Sequence, residues 1–220
     1  MKFGSISTPI IADGLVFNMD AANRASYIPD AIKSHNTINL SQTGSLQDTG
    51  MFSTDNKGVF VCDGIDTGIA LNSTSNLGTI NTIGIWVKRN DLIAARALFG
   101  GNTWDSNPAM WLSGTTSLYL SISKWVKPSF YSIGWSNTTD WFYITVIRNG
   151  DGASLYKNGA YVAVLTGLKT EDTLIDSIGY NSNNNSSYHK GNIGPVHFYN
   201  RALSANEVLH NYNALKGRFI

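Results

Sequence analysis

Residues 141–165 read WFYITVIRNGDGASLYKNGAYVAVL, and this stretch decides the fold class. Trp141 to Arg148 is rich in β-branched and aromatic side chains, the composition of a strand packed on a pleated surface. Asn149-Gly150-Asp151-Gly152 supplies turn residues, and Ala153 to Lys157 follows as a second strand. Asn158-Gly159 is a two-residue turn of the kind that requires positive φ at both positions, because Asn and Gly tolerate that backbone best. Ala160 to Val164 then returns. The spacing predicts a three-stranded antiparallel meander.

Working outward, strand signals dominate the chain. Gly14 to Met19 follows a turn-forming Asp13-Gly14, and Val59 to Cys62 ends at Asp63-Gly64. Thr82 to Lys88 places Ile83, Ile85 and Val87 on one face, and Leu118 to Ile122 alternates with period 2. Gly194-Pro195 is read as the entry to a last strand containing Val196-His197-Phe198-Tyr199. One helix is expected. Ser204 is its N-cap with Glu207 three residues on, Val208, Tyr212 and Leu215 recur at helical spacing, and Gly217 supplies the stop. The run Asn181-Ser-Asn-Asn-Asn-Ser-Ser187 is a loop. Many short strands and no linker point to an all-β, two-sheet antiparallel jelly-roll sandwich with one short C-terminal helix. The expected organisation is an N-terminal arm over 1–12 and one domain over 13–220.

Only 14% of the 220 residues are charged, against about 25% in an average soluble protein. Uncharged Asn, Ser, Thr and Gly must therefore cover the surface. The net charge is +1 and the basic residues are scattered, which argues against a nucleic-acid partner, since phosphate backbones need clustered Lys and Arg. No apolar run is long enough for a transmembrane helix, so no membrane partner is expected. Ser5, Ser7, Thr8 and Pro9 interrupt what would be a signal-peptide core, so none is expected. The single Cys62 makes no internal disulfide and lies in an apolar run, where a buried, inert thiol is expected.

Catalytic patterns are missing. Glycoside hydrolysis needs two carboxyl groups on one side of the sugar, but the chain has only two glutamates, Glu171 and Glu207. Glu207 caps the helix, Glu171 and Asp172 are adjacent and would face opposite ways on a strand, and Asp63 and Asp66 have the wrong parity. The four histidines (His35, His189, His197, His210) form no metal-binding spacing, and His197 reads as a packed or edge strand residue. No enzyme activity is expected. Trp86 and Trp141 are expected in the core. Trp104, with Asp105, and Trp135 fall in polar, turn-rich contexts, where an aromatic face stacks on a sugar and neighbouring amides bond its hydroxyls. With Asn183 and Tyr188 they form the candidate ligand-binding set. Asp63 and Asp66 are first turn formers and secondly candidate Ca²⁺ ligands, the one cofactor considered.

Several segments together resemble the laminin G-like, or concanavalin A-like jelly-roll, domains of phage structural proteins. They are Asp13 to Tyr27 (DGLVFNMDAANRASY), Val61-Cys-Asp-Gly-Ile-Asp66, Ile83 to Lys88, Trp141 to Gly159 and the closing cassette from Ile193 to Tyr212. The opening and the ending FYNRALSANEVLHNYNALKGRF are most similar to proteins of marine and cyanobacterial phages. The resemblance spans nearly the whole chain from Asp13. It implies two stacked antiparallel sheets and use as a tail-fibre, appendage or capsid-decoration component, made in a host cytoplasm and located in the virion. The implied partners are other virion proteins and copies of itself, with the arm packed on neighbouring subunits. The alternative is a carbohydrate-binding adhesin recognising host surface glycans. The resemblance implies no shared catalytic or sugar site. The chain departs from it at Cys62, where an aromatic is usual, and at Thr67, where a second acidic residue often follows Asp66.

Overall fold

The structure, a computed structural model, describes residues 9–29, 31–101, 109–120, 137–168 and 171–220. In chain order its strands are β1 (Leu15–Met19), β2 (Lys33–His35), β3 (Thr43–Leu46), β4 (Phe52–Ser53), β5 (Val59–Asp63), β6 (Ile69–Asn76), β7 (Ile80–Arg89) and β8 (Arg96–Gly100). They continue as β9 (Met110–Ser113), β10 (Ser117–Leu120), β11 (Phe142–Asn149), β12 (Gly152–Lys157), β13 (Ala160–Leu165), β14 (Leu174–Ile178) and β15 (Lys190–Tyr199). A single α-helix, α1 (Ala205–Leu215), follows among the described residues.

These strands form two antiparallel sheets. The larger has the order β13-β12-β11-β7-β15-β5-β4, with β1 also paired to β15. The smaller has the order β10-β9-β8-β14-β6-β3-β2. The meander is present as read: β11, β12 and β13 pair in sequence. Asn158 and Gly159 turn it with φ of 52° and 79°. Strand β10 covers the described part of the expected 118–122 strand; residues 121 and 122 lie outside the described residues.

Ile83, Ile85 and Val87 point between the sheets, as their alternation requires, and join the main core with Phe142, Ile144 and Val146 of β11 and Ile193, Val196 and Phe198 of β15. The smaller sheet contributes Ile69, Leu98, Phe99, Met110, Leu112, Leu118 and Ile175. Phe198 links the layers, stacking on Phe17 at 4.5 Å and meeting Phe99 edge-on at 5.5 Å. Cys62 is in this core and 2% exposed. Burial, with the Asp63 charge second, pushes its thiol up to about 12, so the reactive thiolate is scarce at neutral pH. Ellman's reagent is expected to label Cys62 only after denaturant is added. Fast labelling of the native chain would refute that placement.

The outer face of the larger sheet is covered by the C-terminal segment. Trp86 and Trp141 are core residues here, packed with Val59, Tyr143 and Phe219, while Tyr212 and Leu215 of α1 lie against them. Ser204 and Glu207 form the capping box in full. Glu207 also receives both Nη atoms of Arg201, at 3.1 and 2.6 Å. Those bonds first, then the Ser204 N–H, hold its carboxyl down at about 2.

Two local expectations are corrected. The last strand begins at Lys190 rather than after Gly194-Pro195. Proline has no N–H to give the ladder, and the pairing to β7 slips between Ile193 and Val196. At that slip β15 exchanges its neighbour on one side, from β5 to β1. Nor does Gly217 stop the helix: α1 ends at Leu215, and Gly217 lies inside a 3₁₀ turn, Lys216–Arg218. The turn carries Arg218 onto Asp20, bonded at 2.6 and 3.2 Å, and Phe219 onto Trp86 at 4.5 Å. Side-chain anchors, not a left-handed glycine, shape the end. Residues 9–12 contact the chain's own helix α1. Ile11 N–H donates to Asn211, and the Pro9 carbonyl is bonded to His210. Residues 1–8 of the expected arm lie outside the described residues.

Candidate functional site

One end of the sandwich gathers four of the sequence candidates. Asp63 closes β5 and folds the following turn onto itself. Its Oδ1 accepts from the N–H groups of Ile65 (2.8 Å), Asp66 (3.3 Å) and Thr67 (3.4 Å), and from the Thr67 hydroxyl (2.7 Å). Thr67 Oγ1 in turn accepts from the Asp63 N–H at 2.7 Å. Partial burial works to raise the Asp63 carboxyl, but these donors outweigh it and hold it below its usual value. The Thr67 departure from the acidic pattern thus closes the turn with a hydroxyl. Asp66 is exposed beside it.

The Asn-rich loop forms the opposite wall. Asn181 and Ser186 bond each other in both directions, at 2.9 and 3.2 Å. Asn185 and Ser187 take φ of 50° and 55°, the left-handed region that Asn visits more readily than most residues. Asn183 is exposed at the tip. Ser182 donates to Asp176 at 2.5 Å. Tyr180 and Tyr188 stack nearly parallel at 5.3 Å beneath the loop. Tyr188 is only 9% exposed, so it presents little ring face to solvent. Gly68 is needed at this point, since a Cβ there would stand 2.5 Å from the Tyr180 ring.

Arg96 ties the two walls together. Its Nη1 donates to the carbonyls of Gly64 (3.1 Å) and Tyr188 (3.0 Å), and its Nη2 to Asp91 at 2.6 Å. Asp91 is pulled two ways. Burial works to raise it, but the hydrogen bond and charge of Arg96 prevail and keep it low. Arg89, wholly buried beside it, donates to the carbonyls of Gly114 and Ala94 at 3.0 and 2.9 Å. The resulting end is a rigid base of arginines and stacked tyrosines, with Asp66 and Asn183 to Asn185 exposed above. Such amides donate to and accept from hydroxyl groups, and a carboxylate accepts from them.

Trp104, Asp105 and Trp135 lie outside the described residues. Among the described residues no group of three His, Cys, Asp or Glu side chains gathers to hold a metal, and Asp63 spends Oδ1 on its own turn. No described helix is long and apolar enough to cross a membrane. Sequence reasoning missed Arg96, Asp91 and Tyr180, and read Thr67 as a departure without seeing its part in the turn. One signal was available: Arg96 heads the apolar run Ala97-Leu98-Phe99, and a charge there needs buried partners.

Two antiparallel sheets stacked over one core, with loops gathered at their ends, define the class of lectin-like jelly-roll sandwiches. The family described as the concanavalin A-like lectin/glucanases superfamily matches residues 63–209, more than half of the chain, and the chain belongs to it. No curated protein sequence matches. Among solved structures, the chain is similar to domain 4 of a GH43 extracellular arabinanase from Geobacillus stearothermophilus in complex with arabinotriose. The TM-score is 0.58 at 18% identity, over 90% of this chain and 98% of that one. It is also similar to the botulinum neurotoxin serotype D binding domain (TM-score 0.66, 15% identity), covering 91% of this chain and 51% of that one. Trypanosoma rangeli sialidase in complex with sialic acid gives 0.66 at 13% identity, over 98% of this chain and 36% of the sialidase. The chain thus spans about half of the toxin domain and about a third of the sialidase. At these identities the likeness is one of fold.

Proposed function

We propose that this protein is a non-catalytic carbohydrate-binding sandwich, and that it serves as an attachment component of a phage particle. The observation that carries the binding reading is the end described above. There, on a fold belonging to a lectin and glucanase superfamily, Arg96 fixes the Asp63–Thr67 turn against the Asn-rich loop. Asp66 and Asn183 are placed to bond sugar hydroxyls, and the rigid base limits the ordering that binding would otherwise require. Similar structures in complex with arabinotriose and sialic acid add support at the level of ligand class. The non-catalytic part is supported by Glu207, whose carboxyl is bound to Arg201 and its own helix cap. The reading gives Ca²⁺ no part. The virion part rests on the resemblance carried by Asp13–Tyr27 and the closing cassette.

Glycan-array binding by the whole chain tests the first part. Retention on at least one polysaccharide is expected, with a loss of about tenfold or more in the double variant Asp66→Ala, Asn183→Ala and no change in melting temperature, since both residues are exposed. Binding that survives this change but vanishes with Trp104→Ala would move the site, and silence across the array would sink the reading. Copurification with intact particles, located by antibody labelling, tests the second part; absence from particles would remove it.

A further inference from the structure

A cleft of about 370 Å³ opens beside β2, lined by none of the residues of the end described above. Its volume is in the range of ligand pockets. Two segments build it. In the turn after β1 the Asn23 carbonyl accepts from the N–H groups of Ser26 and Tyr27, both at 2.8 Å, and Arg24 and Ala25 stand exposed between them. In β2 the side chain of Ser34 is wholly buried, so alternation turns Lys33 and His35 to the other face. They line the cleft with Arg24, while Ala25, Ile28 and Leu40 supply apolar walls. Ile28 and Leu40 are each 64% exposed, so the chain's own core makes little use of them. Among the described residues the side chains of Arg24, Lys33 and His35 have no ion pair and no hydrogen bond. The described acid nearest to them in the chain, Asp20, is taken by Arg218 at 2.6 Å. No described acidic residue lines the cleft.

We propose that this cleft binds a carboxylate-bearing sugar, a hexuronate unit of an acidic polysaccharide. It is a second site, independent of the Asp66 and Asn183 end. The unpaired cations call for an anion, and Arg24 has the planar fork that a carboxylate fits. The aliphatic walls call for apolar surface on the same ligand, which the C–H face of a sugar ring offers. Inorganic phosphate has no such face. An acidic peptide has both features, but an extended peptide is held chiefly through a free strand edge, and β2 has none. It pairs with β3 on one side. On the other, Tyr27 bridges Ser34, and the His35 N–H donates to the Ser26 carbonyl at 2.6 Å. A ligand here is held by side chains alone, which suits a ring with one charged substituent. The guanidinium, the ammonium and the imidazole take the carboxylate, and Ile28 and Leu40 pack on the ring.

Backbone-amide NMR of the full chain, titrated with trigalacturonate, tests this. The shifts are expected to saturate, to centre on residues 24–40 and to give a Kd of about a millimolar, since the contacts are open to solvent. The methyl-esterified trimer keeps the rings and removes the charge, and should bind about tenfold more weakly. Arg24→Gln and Lys33→Gln should each weaken binding about threefold, and Leu40→Ser by about the same factor with the charges intact. All three residues are exposed, so the melting temperature should hold. The double variant Asp66→Ala, Asn183→Ala should leave this titration unchanged, which separates the two sites. Absent shifts, shifts centred on Asp63 to Thr67, or equal binding of the methyl ester would overturn the proposal. So would inorganic phosphate or triglutamate binding as tightly as the sugar, the first marking a bare anion patch and the second an acidic protein partner.

Discussion

Trp86→Ala is expected to destabilise the protein by about 3–5 kcal/mol, the usual range for removing a buried aromatic. The ring is fully buried and stacks on Tyr143 (5.4 Å), Tyr212 (5.7 Å) and Phe219 (4.5 Å). It therefore joins the sheet, α1 and the C-terminal turn at one point. Its removal leaves a cavity that α1 cannot fill without drawing Val208 away from Ile147, Tyr199 and Leu203. In a chain of this size the loss corresponds to a fall in melting temperature of about 10 °C. Trp86→Phe should cost much less. It keeps a ring in the stack and deletes an indole N–H that has no acceptor. Urea denaturation of both variants checks this, and a loss below about 1 kcal/mol for the alanine would show that the helix does not depend on the stack.

Stability is also expected to fall steadily as the pH drops below about 6.5. His189 and His197 are both buried, and burial first of all lowers them to about 4 and about 3. His189 Nε2 bonds the Lys88 carbonyl and so carries the proton of the neutral ring. Its Nδ1 has no partner, as is true of Nε2 in His197, whose Nδ1 bonds Asn18. A second proton on either ring would be buried facing nothing. Between the unfolded value near 6.5 and these lowered values, the unfolded chain takes up protons that the folded chain refuses, so stability decreases with falling pH. Above about 6.5 neither histidine contributes a slope. Together they remove several kcal/mol by about pH 4, a large part of a typical total. Glu207 adds a further loss from its usual value down to about 2, because its folded form favours the charge. Unfolding free energies measured from about pH 7.5 to about 4 should show the decline, and His197→Gln should flatten it. A stability constant over that range would refute the account.

The sequence showed the fold where local chemistry and tertiary packing ask for the same residues. The meander carries its turn residues at its turns, and the capping box needs only the span from Ser204 to Glu207. Strands β2, β3, β4 and β14 are short or polar; they gain order from their neighbours across the sheet, which no local pattern encodes. The same reason hid Arg96. Its partners, Gly64, Asp91 and Tyr188, are scattered along the chain and meet only when their separate loops close together. Asp63, by contrast, was legible as a turn former because its partners, Ile65 to Thr67, follow it directly in the chain.

The exchange of neighbours along β15 has a kinetic meaning. This strand lies in the middle of the larger sheet, between β7 on one side and β5 and β1 on the other. Of the fifteen described strands it is also the last in the chain. During synthesis β1 and β5 must wait, apolar faces uncovered, while everything between them and β15 emerges. Closing such long loops is slow. A nascent chain halted before Lys190 would hold two sets of strands with nothing between them, so the sandwich is expected to condense late and at once rather than hairpin by hairpin.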